Sequence, residues 1–183
     1  MKIALIGYGK MGRAVEAIIE EHNAVATNDT IEIVLRIDLE NKEQFTPESL
    51  TGVDIAVEFT GPESAVDNIK KCLDAHVAVV VGTTGWYDRL EEVKQYVADK
   101  DGAMLYTPNF SVGVNILFDL NEKLAAIMQE REGYQVTISE SHHTEKLDAP
   151  SGTAISMAQQ IMAYNPQYTG WIKGKAVNDN EIG

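Results

Sequence analysis

Short apolar runs alternate along the first hundred residues with longer segments in which apolar residues recur at helical spacing. Short apolar runs bounded by glycine or polar residues are typical of buried strands, and apolar residues at every third or fourth position indicate helices. The pattern predicts strands at 2–7, 31–38, 53–60, 77–85 and 103–110, and helices at 11–22, 62–76 and 87–100. This alternation favours an α/β fold with a doubly wound parallel sheet of the Rossmann type.

The pattern changes after residue 110. It predicts a long amphipathic helix at 111–130, a strand with alternating apolar positions at 134–141 and a helix at 153–163. From Tyr164 onward there is little apolar periodicity, and we predict no closing strand or helix. We therefore divide the chain into a dinucleotide-binding domain, 1–109, and a smaller α+β domain, 110–183, whose sheet is incomplete.

Composition narrows the classes of function. With 15 Lys and Arg against 28 Asp and Glu, the net charge of −13 disfavours nonspecific binding to nucleic acid or anionic membrane. No apolar run is long enough for a signal peptide or a membrane span. The single cysteine, Cys72, has no partner for an internal disulfide, and we expect it to be buried. These features predict a cytoplasmic protein.

A glycine cluster follows the first predicted strand. Gly7, Gly9 and Gly12 have the spacing G-x-G-x-x-G between a strand and a helix. In dinucleotide-binding folds the first glycine permits a tight turn, the second allows a pyrophosphate to approach, and the third allows close helix packing. The helix N-terminus then offers N–H groups to an anion. The alternative is a glycine turn with a purely structural role.

Asp38 ends the second predicted strand, somewhat further from Gly12 than the usual interval of about 20 residues. A carboxylate there accepts hydrogen bonds from ribose hydroxyls and repels a 2′-phosphate, which favours NAD(H). The alternative is a solvated aspartate. Lys42 and Arg36 are near enough in sequence to leave NADP(H) open.

Two further loops lie at predicted strand ends, where ligands bind in open α/β sheets. The first contains Phe59, Thr60 and Gly61, and the second is Gly82-Thr83-Thr84-Gly85. Their small residues and hydroxyls suit a nicotinamide pocket. Taken alone, both loops are better explained as turns.

The segment 140–154, ESHHTEKLDAPSGTA, carries an unusual mixture of polar groups. Ser151 is a natural N-cap for the helix that follows Pro150. The N–H groups of Gly152 and Thr153 then form a carboxylate cradle, to which Lys146 adds a positive charge. The alternative is a loop that only caps a helix.

Adjacent histidines, His142 and His143, point to opposite sides if the strand continues through them. One suits a general acid, because imidazole has an unperturbed pKa of about 6.5, and the other suits substrate binding. We predict no metal site, since no cysteine or further histidine has ligand spacing. His22 and His76 each end a predicted helix instead.

Several of these stretches together resemble one enzyme family. The paired histidines, Lys146 and the run from Asp148 to Ala154 resemble the signature of the 4-hydroxy-tetrahydrodipicolinate reductase (dihydrodipicolinate reductase) family. GYGKMG near the start, EFT at 58–60, GTTG at 82–85 and PNFSVGVN at 108–115 occur in the family's order. The resemblance covers essentially all 183 residues.

The resemblance implies NAD(P)H-dependent hydride transfer to a cyclic unsaturated dicarboxylate, followed by protonation of the enamine, in lysine and diaminopimelate biosynthesis. His142 is then the general acid, with Lys146 beside it in catalysis. The implied substrate contacts are His143, Lys146, Ser151, Gly152 and Thr153. The implied cofactor contacts are Gly7, Gly9, Lys10, Met11, Gly12, Asp38, Phe59, Thr60, Gly82, Thr83, Thr84, Pro108, Asn109 and Phe110.

The sequence departs from the family at two points. Some relatives carry an arginine after the acidic residue of the second strand, but Leu39 follows Asp38 here, so we expect NADH to be preferred over NADPH. The chain also stops where relatives continue, so we expect a C-terminally truncated substrate and tetramerisation domain. A non-catalytic NAD-binding module and a dehydrogenase of another amino-acid pathway remain alternative interpretations.

Overall fold

The computed structural model describes residues 1–26, 28–142, 144, 149–174, 178 and 181–183. The chain divides into two compact units, Met1–Pro108 and Asn109–Gly183. Each unit has its own buried cluster of apolar residues.

The first unit is built on one sheet of five strands: β1 (Lys2–Ile6), β2 (Glu32–Ile37), β3 (Ile55–Glu58), β4 (Ala78–Val81) and β5 (Met104–Tyr106). All neighbouring strands are parallel, and their order is β2-β1-β3-β4-β5. Its α-helices are α1 (Lys10–Val25), α2 (Pro62–Asp74) and α3 (Leu90–Asp99). Short 3-10 helices occupy Leu39–Gln44, Glu48–Leu50 and Tyr87–Arg89. The predicted α/β fold with its parallel sheet is confirmed.

Helix α2 shows how the sequence pattern produces this packing. Pro62 stands in its first turn, where a missing N–H costs no hydrogen bond. Its apolar face is fully buried against the sheet and includes Val66, Ile69 and Leu73. Burying each such side chain contributes about 1.5–3 kcal/mol. Cys72 lies on the same face, as expected, and burial raises the pKa of its thiol to about 12.

The strand order places a crevice beside β1. The chain passes from β1 to β2 on one side, and β3 then pairs with the other side of β1. Loops leaving these strands therefore diverge at their carboxyl ends. In open α/β sheets, ligands bind at this topological switch point.

The second unit contains two helices, α4 (Val112–Met128) and α5 (Gly152–Tyr164), which pack against each other. Ser111 caps α4 by accepting a hydrogen bond from the Val114 N–H. Both predicted helices are present. The expectation of no strand after Tyr164 is wrong, because two-residue strands β6 (Gly170–Trp171) and β7 (Glu181–Ile182) pair in parallel. Lack of periodicity is uninformative for strands this short.

The predicted strand at 134–141 is also wrong. Val136 and Ile138 are half-buried against the second core, so the alternating pattern does show which side chains face inward. A strand, however, requires a ladder with a neighbour. Here the Val136 N–H donates to the Tyr168 hydroxyl at 2.9 Å and the Ile138 N–H donates to the Gly183 carbonyl at 3.0 Å. These two backbone bonds go to separate partners and not to one neighbouring strand.

Candidate functional site

A cavity of about 800 Å³ lies at the switch point of the first unit. We call it the switch-point pocket. Its volume is typical of small-molecule and cofactor sites. Five residues predicted to contact a cofactor line it: Gly7, Gly9, Asp38, Phe59 and Thr60.

The three glycines of GYGKMG have the local geometry that the spacing predicts. Gly7 has φ of +95°, and a Cβ atom there would overlap the carbonyl of Phe59. A Cβ atom at Gly12 would overlap the Gly7 carbonyl, so the first turn of α1 packs directly on the loop. A Cβ atom at Gly9 would meet open space. The turn therefore leaves room for a ligand at Gly9, between two positions that admit only glycine.

The N-terminus of α1 follows this turn. Gly9 is its N-cap and makes no side-chain capping bond, and the first turn contains no acidic residue. The N–H groups of the first turn have no intrahelical acceptors, and the helix dipole favours an anion there. Lys10 and Met11 are exposed at this turn but, like Gly12, are not among the residues that line the pocket.

Asp38 lines the pocket and also caps the 3-10 helix Leu39–Gln44. Its Oδ1 accepts a hydrogen bond of 2.8 Å from the Leu39 N–H. Arg36 is engaged elsewhere, because its Nε donates to the Glu16 carboxylate at 2.9 Å. Lys42 lines the pocket beside Asp38 and is exposed. Arg36 and Lys42 are the two cations that could pair with the 2′-phosphate of NADP(H). Of these two, only Lys42 borders the cavity.

A buried carboxylate supports the loop at Thr60. Glu58 is fully buried, and its Oε1 accepts hydrogen bonds from the Thr60 N–H (3.1 Å) and the Thr60 hydroxyl. The Asn68 amide donates to the Thr60 hydroxyl at 3.1 Å. No described residue donates to Glu58 Oε2. This network fixes the loop that lies against the Gly7 turn.

The GTTG loop supports the pocket from outside it. A Cβ atom at Gly82 would overlap the Phe59 ring, and the Thr83 hydroxyl accepts a hydrogen bond of 2.8 Å from the Thr60 N–H. Thr84 is exposed. None of the predicted contacts Gly82, Thr83 and Thr84 lines the switch-point pocket.

Helix α2 supplies pocket residues that the sequence reading missed. The residues are Ser64, Asp67, Asn68 and Lys71. These four residues recur at helical spacing and so form one polar face of α2. A polar face on the helix that follows a switch-point strand is the sequence signal that could have identified them. Glu43 and Phe45 were missed as well, since their position depends on the fold of the 3-10 segment.

Three predicted cofactor contacts, Pro108, Asn109 and Phe110, lie where the first unit ends and the second begins. Pro108 ends the first unit. Asn109 Oδ1 accepts a hydrogen bond of 2.8 Å from the Ser111 N–H, just before α4. Phe110 is 44% exposed, and none of the three lines the switch-point pocket.

The second unit holds a cluster of polar residues, Glu140, His142 and Ser151, which we call the histidine cluster. Glu140 Oε1 accepts a hydrogen bond of 2.8 Å from the Ser151 N–H. Glu140 Oε2 accepts one from the Ser151 hydroxyl and lies 2.8 Å from His142 Nε2. The bonds with His142 and Ser151 lower the pKa of Glu140 to about 2. Glu140 was missed because only tertiary structure brings it to Ser151.

Helix α5 begins within this cluster. Ser151 is its N-cap, as predicted, and the hydroxyl accepts a hydrogen bond of 3.1 Å from the Ala154 N–H. Gly152 and Thr153 stand in the first turn, where N–H groups lack intrahelical acceptors. A Cβ atom at Gly152 would meet no atom within 4 Å. This end of α5 therefore has the donors that a carboxylate requires.

Two predicted site residues, His143 and Lys146, lie outside the described residues. The expectation that His142 and His143 point to opposite sides depended on a continuing strand. That premise is wrong, because the strand at 134–141 is absent. The orientation of His142 is set instead by its contact with Glu140.

Within the described ranges, no helix has both the length and the apolar composition needed to cross a bilayer. In the same residues, no three histidine, cysteine or acidic side chains are grouped so as to hold a metal ion.

Comparison with known proteins gives a consistent result. The model of the family described as dihydrodipicolinate reductase, N-terminus, matches residues 1–110, and that described as dihydrodipicolinate reductase, C-terminus, matches residues 113–183. The chain is 42% identical over 181 residues to the 4-hydroxy-tetrahydrodipicolinate reductase of Christiangramia forsetii, covering 98% of this chain and 71% of the relative. It is 31% identical to the enzyme of that name from Neisseria gonorrhoeae, covering 88% of this chain and 64% of the relative.

A solved structure resembles the fold. Dipicolinate-bound dihydrodipicolinate reductase from Paenisporosarcina sp. TG-14 aligns with a TM-score of 0.71 and 24% identity, covering all of this chain and 77% of that one. At this identity the similarity shows the fold alone. The family models and the two sequence relatives carry the remaining inference.

Proposed function

Because the chain belongs to the dihydrodipicolinate reductase family of nicotinamide-dependent oxidoreductases, we propose that it reduces 4-hydroxy-tetrahydrodipicolinate, by way of dihydrodipicolinate, to tetrahydrodipicolinate. This is a step of lysine and diaminopimelate biosynthesis. The chain spans 71% and 64% of the lengths of the two relatives above, so the activity of the whole enzyme is part of the proposal. The observation that carries it is the histidine cluster at the N-terminus of α5, within the motif of the family.

We assign the coenzyme to the switch-point pocket. The residues fit a dinucleotide, because Gly9 leaves open space before an uncapped helix N-terminus and Asp38 lines the cavity. The α1 N-terminus would hold the pyrophosphate and Asp38 the ribose. When bound, the reduced nicotinamide supplies the hydride. The buried Glu58 holds Thr60 against the glycine turn and so keeps the cavity open.

We infer a preference for NADH over NADPH. Asp38 lines the pocket and carries the negative charge that repels a 2′-phosphate. Of the two candidate cations, Arg36 is paired with Glu16. Only Lys42 therefore borders the pocket where a 2′-phosphate would need a positive charge. NADH should therefore give the higher kcat/KM in parallel assays, and Lys42→Ala should lower the use of NADPH more than that of NADH. A preference for NADPH in the unaltered chain would contradict the assignment.

We assign the substrate to the second unit. The N–H groups of Gly152 and Thr153 would hold a substrate carboxylate at the start of α5. Ser151, also predicted as a substrate contact, would act by fixing this helix end, because its hydroxyl donates its one hydrogen to Glu140. His142 would deliver the proton to the substrate after reduction. The roles of His143 and Lys146, as further substrate contacts and in catalysis, stay predictions from the resemblance.

The family resemblance also supports a cytoplasmic protein, with a homotetramer expected for the full-length family, and we include both in the proposal. The net charge of −13 is consistent with partners that are neither nucleic acid nor anionic membrane. Light scattering on the purified chain measures the assembly directly. A monomer at micromolar concentration would remove the tetramer from the proposal.

The activity is tested by substrate-dependent oxidation of NADH. The substrate is made freshly by aldol condensation of pyruvate with aspartate semialdehyde, and omission of either precursor is the control. Oxidation that requires both precursors supports the reductase. Binding of NADH without any substrate-dependent oxidation would support a non-catalytic NAD-binding module instead.

A further inference from the structure

The histidine cluster contains a carboxylate whose role the family motif leaves open. Glu140 lies two residues before His142 and eleven before Ser151, and it contacts both. Its side chain is 28% exposed and that of His142 is 37% exposed, so the pair is partly shielded from water. Both carboxylate oxygens are in use. One accepts the Ser151 N–H, and the other faces the Ser151 hydroxyl and His142 Nε2.

The charge of Glu140 determines the direction of these hydrogen bonds. An ionised carboxylate only accepts hydrogen bonds. The bonds from His142 and Ser151 lower the pKa of Glu140 to about 2, so the group is ionised throughout the neutral range. At 2.8 Å from such an oxygen, His142 Nε2 must carry a hydrogen. This holds whether the imidazole is neutral or charged.

We propose that Glu140 is a positioning residue that keeps the Nε2–H of His142 occupied, so that Nδ1 is the nitrogen that carries and delivers the catalytic proton. The inference deepens the proposed function and rests on it. Glu140 selects one of the two neutral forms of the imidazole, and with it the side of the ring that faces the reaction. A carboxylate placed behind a catalytic imidazole has the same use in other acid–base sites.

The proton transfer balances with this assignment. After hydride addition the substrate is a deprotonated enamine. Its C=C π electrons form a new C–H bond with the proton on Nδ1, and its nitrogen lone pair forms the C=N bond of the product. The N–H bond breaks, and its electron pair remains on Nδ1 as a lone pair. The imidazole is left neutral with its Nε2–H still donated to Glu140. Solvent then returns a proton to Nδ1.

A structural role for Glu140 gives different expectations. Glu140 also holds the Ser151 N–H and hydroxyl at the start of α5, so its loss by itself would loosen the helix end. Loosening would change substrate binding and thermal stability. It would not invert the hydrogen placement on the His142 ring. The tautomer is therefore the measurement that separates the two roles.

The test is NMR of the chain with ¹⁵N-labelled histidine. The chain has four histidines, and His142→Gln identifies the signals of that ring. In the unaltered chain, the pH is raised until the spectrum stops changing, so that the His142 ring is neutral. We then expect a hydrogen on Nε2 and none on Nδ1. In Glu140→Gln the amide oxygen should still accept the hydrogen bond from the Ser151 N–H. The amide NH₂ group then faces His142. The ring must then accept at Nε2, and the neutral form should invert to Nδ1–H.

Controls and kinetics complete the test. Glu130→Gln makes the same charge change at an exposed residue and should leave the tautomer unchanged. Glu140→Gln should lower kcat by at least about tenfold with the KM for NADH unchanged, and Glu140→Asp should restore part of the loss. A neutral ring with hydrogen on Nδ1 in the unaltered chain would overturn the inference, as would an identical tautomer in Glu140→Gln. If the unaltered chain shows the expected tautomer but no substrate-dependent oxidation of NADH, the proposed function is overturned instead.

Discussion

The switch-point pocket and the histidine cluster are built by different means. The pocket is shaped mainly by backbone, namely a glycine turn, a helix N-terminus and the ends of parallel strands, and side chains of α2 line one part of it. The cluster is formed by side chains, since Glu140 and His142 follow a segment that pairs with no strand in the described structure. Its order depends on a few bonds that join Glu140 to His142 and to Ser151, the N-cap of α5.

The difference has a physical consequence for substitution. A site made of backbone tolerates many side-chain changes but fails where a glycine is replaced, because atoms overlap. A site made of side chains keeps its fold under conservative replacement and loses chemistry instead. The following predictions separate the two kinds of failure.

The largest effect is expected in the histidine cluster. His142→Gln should lower turnover roughly 10²-fold or more while NADH affinity stays near normal, because a general acid is lost and the pocket is untouched. Steady-state kinetics and NADH titration measure the two quantities. His22→Gln, a histidine of the first unit bonded to the Asp29 carbonyl, is the matched control. An unchanged rate in His142→Gln would remove His142 from the mechanism.

The next effect belongs to the pocket. Gly7→Ala should destabilise the chain by about 2–6 kcal/mol, since a positive φ costs about 1–3 kcal/mol in a non-glycine residue and overlap costs a similar amount. Denaturant unfolding measures the loss. Gly61→Ala is the matched control, because its extended backbone leaves room for a Cβ atom. Equal stability of the two variants would show that the Gly7 turn is not constrained.

Ser151 allows a smaller effect to be measured in the cluster. Ser151→Ala removes the N-cap of α5 and one bond to Glu140, so the free energy of unfolding should fall by about 0.5–2 kcal/mol. The KM for substrate should rise, with the KM for NADH unchanged. Ser151→Thr, which keeps the hydroxyl, should recover most of the stability. A rise in the KM for NADH alone would contradict the assignment of the cluster to substrate.

An effect that is absent at neutral pH concerns the buried thiol of the first unit. Burial raises the pKa of Cys72 from its ordinary 9.0 to about 12, so the folded state keeps this proton when the unfolded state releases it. Stability from this group is present below about pH 9 and is lost as the pH rises toward 12. Unfolding of Cys72→Ala between these values should show a shallower decline than the unaltered chain. Parallel declines would mean that the thiol ionises freely in the folded state.

The sequence pattern predicts the structure correctly where short-range spacing determines it. The buried strands and α2 of the first unit follow apolar periodicity, and the N-cap of α5 follows from Pro150 and Ser151. The strand predicted at 134–141 failed, because alternation reports which side chains are buried but not whether the backbone has a ladder partner. Polar residues of α2 that line the pocket were overlooked, although their spacing carried the signal.

The sequence by itself determined the parallel α/β unit, the glycine turn and the family, because these depend on short-range spacing and on motifs in a fixed order. Only the tertiary structure decided that Glu58 supports Thr60 from β3, that Arg36 is paired with Glu16, and that Glu140 meets His142 and Ser151. The reason is physical. Backbone geometry is set by neighbours along the chain, whereas the partner of a polar side chain is set by whichever segments folding brings within hydrogen-bond distance.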